Sequence, residues 1–183
     1  EIVHPNIETV HEFGKTDHGD LFIVMEHVAG QNLIELSGRG PIHWSQTFSV
    51  IRQIAQALAA AHAVGIVHRD LKPDNIMVAP GTGSPLVKVL DFGVAKLGGD
   101  PMQQTHLTGS GILLGTPGYM APETLVDDAP QSPLSDLNAL GLIWMEMMLG
   151  RRLYQTQPPA AMLVAQANNP PPPVRQLVPD ATI

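Results

Sequence analysis

Cysteine is missing from the 183 residues, which removes disulfides and thiolate metal sites from consideration. Basic residues are scarce. Ten Lys and Arg stand against 17 Asp and Glu, for a formal net charge of −7. Unspecific nucleic-acid binding wants a basic face, so no nucleic-acid partner is expected. Long apolar runs are lacking too. The most apolar stretch, 137–149, carries Asn138 and Glu146 and falls short of the roughly 20 apolar residues a membrane helix needs. No basic start followed by an apolar run is found at Glu1, so no secretory signal is read. There is no internal repeat. Histidines other than His68 show no metal-ligand spacing. The absence of thiols fits a cytoplasmic location, and a membrane anchor outside these residues stays open.

What remains is a chain with 44% hydrophobic and 15% charged residues, enough for one domain with a sizeable core and too apolar for disorder. The run Leu21-Phe22-Ile23-Val24-Met25 reads as a buried strand. Residues 29–32 read as a turn, and 32–37 as a short helix stopped by Gly38 and Gly40. From 44 to 63, Phe48, Ile51, Ile54, Ala55, Leu58 and His62 recur at spacings of three and four, which predicts an amphipathic helix ending at Gly65. Residues 76–78 and 86–90 read as strands around a Gly/Pro turn. A long loop follows over 91–123, then a strongly apolar helix over 134–149. Pro170 to Pro173 form an extended connector, with a partner groove for proline-rich segments as the alternative reading.

Two clusters carry chemistry. His68-Arg69-Asp70-Leu71-Lys72-Pro73-Asp74-Asn75 lies between the long helix and a strand, so it is a loop. Asp91-Phe92-Gly93 begins 21 residues after Asp70, directly after a second strand. A hairpin between them brings both loops to one edge. A carboxylate and an amide oxygen from neighbouring loops suit a hard cation such as Mg²⁺, which binds oxygen ligands and accompanies phosphates.

These two clusters resemble the catalytic loop and the magnesium-binding motif of protein kinases. Ala121-Pro122-Glu123 resembles the motif that closes their activation segment. The expected fold is therefore α+β and protein-kinase-like: a mainly helical large lobe with the last strands of the small lobe. Residues 1–25 would be a remnant of the small lobe, 26–32 the hinge, and 33–183 an incomplete large lobe. The cofactors implied are ATP and Mg²⁺.

By the same resemblance, Asp70 accepts and orients the substrate hydroxyl, and Lys72 neutralises the transferred phosphoryl group. Asn75 and Asp91 hold the metal ions bridging the ATP phosphates. Lys72 and Gly115-Thr116-Pro117-Gly118-Tyr119 look like the serine/threonine branch, in which Thr116 bonds the catalytic Asp and Lys. Met25 would be the gatekeeper beside adenine. Backbone groups of Glu26 and Val28 would meet the adenine edge, Asn32 the ribose, and Met77 the floor under the ring. Val10, His68 and Phe92 match three of the four apolar layers that link the lobes. Asp136 would bond the backbone of the catalytic loop. Asn138 departs from the family, which usually has an aromatic residue there.

Arg69 before the catalytic Asp suggests control by phosphorylation, with Lys96 as a second cation and Thr108 and Ser110 as acceptors. His68 reads as a structural histidine, and Met145, Met147 and Met148 as core. Gly109-Ser110-Gly111 reads as loop flexibility and Asp127-Asp128 as solvated surface. The phrasing around Gly65 to Met77 looks bacterial. Protein substrates with Ser or Thr acceptors are the implied partners, and a homodimer able to autophosphorylate is among the arrangements the resemblance allows. A pseudokinase binding module is the competing class, and retention of Asp70, Lys72, Asn75 and Asp91 favours the enzyme. The Gly-rich loop, the strand Lys and the helix Glu of the family are not recognised here, since Lys15 is the only Lys before the hinge. These 183 residues alone are therefore expected to transfer negligible phosphate.

Overall fold

The computed structural model describes residues 2–81, 83–92, 116–126, 131–154 and 159–177. Strands β1 (Val10–Lys15) and β2 (Leu21–Met25) form an antiparallel hairpin, with an irregular register between Val10 and Glu12. Its turn closes through Thr16 N–H on Asp20 O at 2.8 Å, with Gly19 at a φ of 87°. The β-branched run at 21–25 does form a strand, but it is not buried. Leu21 is 60% exposed and Val24 44%. A two-stranded sheet buries only the face that something else covers, and no second layer covers this one among the described residues. Lys15 ends β1 opposite Leu21.

The second sheet has the order β3-β4-β5, all antiparallel: β3 is Gln31–Asn32, β4 Ile76–Ala79 and β5 Leu86–Val89. Residues 31 and 32, read as a turn, are thus paired with Val78 and Met77. The residues before β1 lie along β5 in parallel: Val89 N–H donates to Asn6 O at 2.9 Å and Glu8 N–H to Val89 O at 3.0 Å.

Helix α1 (Leu33–Ser37) starts at Asn32, whose side chain accepts from Glu35 N–H, a standard N-cap bond. Helix α2 (Trp44–Ala63) buries Val50, Ile51, Ile54, Ala57, Leu58 and Ala61. Phe48, assigned to that stripe from its spacing, is 56% exposed. The buried stripe enters through Thr47 instead, one position away, which rotates Phe48 outward. Gln53 ties α2 to the sheet: its Oε1 accepts from Asn6 Nδ2 at 2.9 Å and from Val87 N at 3.0 Å. A buried amide costs little when paired in this way.

Short helix α3 (Glu123–Val126) leads to α4 (Pro133–Leu149). Ser132 and Ser135 cap α4 reciprocally, and Gly150 ends it at a φ of 63°. A Cβ on Gly150 would sit 2.4 Å from the Gly40 carbonyl carbon and the Pro41 nitrogen, so only glycine fits that turn. α4 packs on α2, joining Ala139, Leu140, Leu142, Ile143 and Met147 to the core of α2 and β5. Helices α5 (Pro159–Asn168) and α6 (Val174–Leu177) complete the described elements. Among the described residues no helix is long and apolar enough to cross a membrane.

Candidate active site

The catalytic-loop residues sit between α2 and β4, and a single 3-10 turn (Pro73–Asn75) feeds β4. Two side chains from elsewhere shape this loop. Asp136 of α4, only 1% exposed, accepts from His68 N–H at 2.9 Å and Arg69 N–H at 3.0 Å. His62 Nε2 lies 2.7 Å from the same carboxylate. A buried carboxylate is tolerable only with such a full set of donors. The bond expected from Asp136 to the loop backbone is therefore present, and His62 is an addition that spacing did not reveal.

Arg69 holds a φ of 73°, and Asp91 a φ of 60°. A residue other than glycine in the left-handed region is uncommon and costs on the order of 1–3 kcal/mol. Both strained residues lie in the motifs that the sequence singled out.

At the centre, Lys72 Nζ is 2.6 Å from Asp70 Oδ2. Thr116 Oγ1 donates to Asp70 Oδ1 at 3.0 Å and accepts from Lys72 Nζ at 3.2 Å. Three residues that the sequence grouped only by resemblance thus form one hydrogen-bonded triangle, although Thr116 is 46 residues from Asp70 along the chain. The adjoining turn Pro117–Tyr119 is anchored from α5, where Gln166 Nε2 donates to Gly118 O at 2.7 Å.

Asn75 and Asp91 leave one end of the β4-β5 hairpin. Leu90 N–H donates to Asn75 O at 2.8 Å, one residue before Asp91. Asn75 Nδ2 donates to Asp70 O at 3.1 Å, which leaves its Oδ1 as an acceptor. With the Asp91 carboxylate this makes an all-oxygen donor set, the chemistry Mg²⁺ prefers. Among the described residues no three His, Cys, Asp or Glu side chains gather as a metal cage. Mg²⁺ usually takes one or two carboxylates plus substrate phosphates, so these residues fit it.

His68 is buried and donates from Nε2 to Leu90 O at 2.9 Å. Its other ring nitrogen faces Asp70 N–H at 3.4 Å. Burial pushes its pKa down, against the pull of the Asp136 charge. It is a neutral strut between the two loops, and its ring meets Phe92 edge-on at 4.8 Å. The apolar layers expected from Val10, His68 and Phe92 show this one ring contact, while Val10 is 40% exposed.

Of the residues expected to meet a nucleotide, Met25 ends β2 and Met77 lies opposite Asn32 in the second sheet. Glu26 N–H is already bonded to Thr9 O at 2.9 Å, so of its backbone groups the carbonyl is left for a ligand. The Glu26 side chain pairs with Lys88 Nζ at 2.5 Å and accepts from Thr9 N–H at 2.7 Å. The Lys88 bond holds its carboxyl below the usual range. Val28 is half-buried in the segment leading to β3. Lys96, Thr108 and Ser110 lie outside the described residues.

Sequence reasoning passed over two further carboxylates. Glu146, 6% exposed, accepts from Tyr119 Oη–H at 2.7 Å and Leu153 N–H at 3.0 Å. Burial raises its pKa despite both bonds, and burial first, then the Glu146 charge, raises that of Tyr119. Because the folded protein binds this proton more tightly than the unfolded chain, Glu146 contributes stability below its ordinary value of 4.5. That contribution is lost as pH rises through the higher folded value. Glu146→Gln removes this component. Urea denaturation midpoints at about pH 4.5 and pH 7 should therefore move in favour of the variant, relative to wild type, as pH rises. An unchanged difference would show that the carboxyl titrates as it does in the unfolded chain.

Glu8, 8% exposed, is the second. Its Oε2 faces Asp91 N–H at 3.4 Å, and burial raises its pKa above the ordinary value. In the sequence it stands between Ile7 and Thr9 with no motif around it.

An α+β fold with a carboxylate–lysine–threonine triangle is in keeping with a protein kinase domain, and the chain belongs to that family: the protein kinase domain profile matches residues 1–172. Among named relatives, the serine/threonine-protein kinase pkn3 of Myxococcus xanthus is 40% identical over 185 residues, covering 98% of this chain and 33% of that protein. Pkn1 of the same organism is 42% identical over 179 residues, 97% of this chain and 25% of that protein. The serine/threonine-protein kinase PknA of Mycobacterium tuberculosis H37Rv is 37% identical over 177 residues, 93% of this chain and 39% of that protein. The chain thus spans a third or less of the length of the Myxococcus relatives. These relatives are of the bacterial, eukaryotic-like serine/threonine type, as the phrasing of residues 65–77 suggested.

Proposed function

We propose that the whole protein containing these residues transfers the γ-phosphate of ATP to serine and threonine hydroxyls of protein substrates. The observation that carries this reading is the triangle of Asp70, Lys72 and Thr116. Asp70 takes the proton of the incoming hydroxyl and orients its oxygen. Thr116 and Lys72 hold the Asp70 carboxylate in one rotamer, and the Lys72 ammonium sits where negative charge builds on the transferred phosphoryl group. In phosphoryl transfer such positioning and electrostatics do most of the work.

Asn75 and Asp91 would hold Mg²⁺, which when bound neutralises the phosphate oxygens. Met25, Met77, Val28 and the Glu26 carbonyl would bound the adenine, and Asn32 would meet the ribose. Residues 1–25 are assigned to the small lobe, 26–32 to the hinge and 33 onward to the large lobe. A phosphate on Thr108 or Ser110 would pair with Arg69 and Lys96, placed there by one copy acting on another. ATP as co-substrate favours the cytoplasm as the place of action.

The test is phosphoamino-acid analysis after incubating the whole protein with radiolabelled ATP, Mg²⁺ and a generic protein substrate. Label on phosphoserine and phosphothreonine, at turnover within the usual range of about 1–100 per second, is the expected result. Nucleotide binding without any transfer would move the protein to the class of binding modules.

A further inference from the structure

The two left-handed residues of the site, Arg69 and Asp91, are each met by a buried carboxylate from a distant part of the chain. Asp136 accepts the Arg69 amide at 3.0 Å, and Glu8 faces the Asp91 amide at 3.4 Å. We propose that Glu8 is a positioning residue that holds Asp91 in its left-handed conformation, so that the Asp91 carboxylate is presented to the metal. The inference rests on the kinase reading given above.

Three observations support it. Glu8 is 8% exposed, which is costly for a carboxylate with no structural task. Its backbone is fixed along β5, through Glu8 N–H on Val89 O at 3.0 Å, so its side chain starts two residues from Asp91. The neighbouring cation, Lys88, is bonded to Glu26 at 2.5 Å and to Ile7 O at 3.2 Å. Glu8 therefore does not serve as the direct ion-pair partner of Lys88. Among the described residues the Glu8 side chain accepts from Asp91 N–H. At 3.4 Å the contact is longer than the usual range of about 2.7–3.2 Å, so it tightens when the site is loaded.

The test compares Glu8→Val, which removes the acceptor, with Glu8→Gln, which keeps the length of the side chain and an acceptor oxygen. In the whole protein, ADP affinity is measured by calorimetry with Mg²⁺ and again with a chelator. Thermal unfolding and hydrogen exchange of the peptide spanning Leu90–Asp91 are followed on the same samples. For Glu8→Val, the magnesium-dependent gain in ADP affinity should fall by roughly tenfold, the scale of one lost hydrogen bond to a charged group. Metal-free affinity should stay within about twofold of wild type, and exchange at Leu90–Asp91 should speed up. The unfolding temperature should hold or rise, because a buried carboxylate has been removed. Glu8→Gln should track wild type in all four.

A Glu8→Val protein that keeps the magnesium-dependent gain and slow exchange overturns the proposal. So does one that loses metal-free affinity to the same degree. A wild-type protein with no magnesium-dependent gain overturns the kinase reading and this inference with it, so the two failures are told apart by the wild-type control.

Discussion

Asp70→Asn is expected to lower kcat by about 10²- to 10⁴-fold, the range found for removal of a positioned general base, while leaving nucleotide affinity close to wild type. The substitution keeps the shape and the oxygen that Thr116 bonds at 3.0 Å. It removes the charge that faces Lys72 at 2.6 Å and the ability to take a proton. Because the role proposed for Asp70 is at the reacting hydroxyl and not at the adenine or the metal, the loss should fall on kcat and spare the KM for ATP. Steady-state kinetics with ATP varied separates the two. A fall confined to KM, with kcat retained, would mean that Asp70 serves binding and that the base lies elsewhere.

The second large effect belongs to stability. Asp136→Ala leaves two backbone amides, those of His68 and Arg69, and the His62 ring without their acceptor in a site only 1% exposed. Breaking a buried charged network in this way costs about 3–5 kcal/mol, a large part of the usual 5–15 kcal/mol of a folded domain. Asp136→Asn keeps one acceptor oxygen and should cost less. Urea denaturation measures both. In the Ala variant Arg69 loses what holds its strained backbone, so the remaining folded protein should also be slow in transfer. A cost below about 1 kcal/mol would show that water replaces the carboxylate and that the loop is not organised from α4.

The motifs were legible in the sequence because their chemistry is local. Asp70, Lys72 and Asn75 fall within six residues, and the two strands between them and Asp91 form one hairpin. The long helices were legible for the same reason, since a 3.6-residue period is a property of neighbours. What stayed hidden depends on partners far along the chain. Phe48 satisfies the helical spacing, but which side of α2 faces the sheet is decided by Gln53 reaching Val87 and Asn6. The run 21–25 announces a strand, yet burial depends on a covering layer that strand composition does not encode. His62 was placed on the inner face of α2 as one more member of the stripe. Its bond to Asp136 spans 74 residues and has no local sign. Glu8 is the sharpest case: an acidic residue outside any motif, whose meaning appears only once β5 brings Asp91 beside it.

Asn138 stands where the family usually has an aromatic side chain. Its Nδ2 reaches Met120 O at 3.5 Å, a weak polar tie between α4 and the segment that follows Thr116. Ala139 and Leu140 beside it are buried.

We propose that Asn75 and Asp91 together present oxygen atoms to one metal site beside Lys72. Crystals of the whole protein grown with Mn²⁺ and a non-hydrolysable ATP analogue test this arrangement, because manganese is located by its anomalous scattering. A manganese peak within about 2.0–2.6 Å of Asn75 Oδ1 and an Asp91 oxygen is expected, with the terminal phosphate facing Lys72. A nucleotide bound with its metal away from both residues would contradict it.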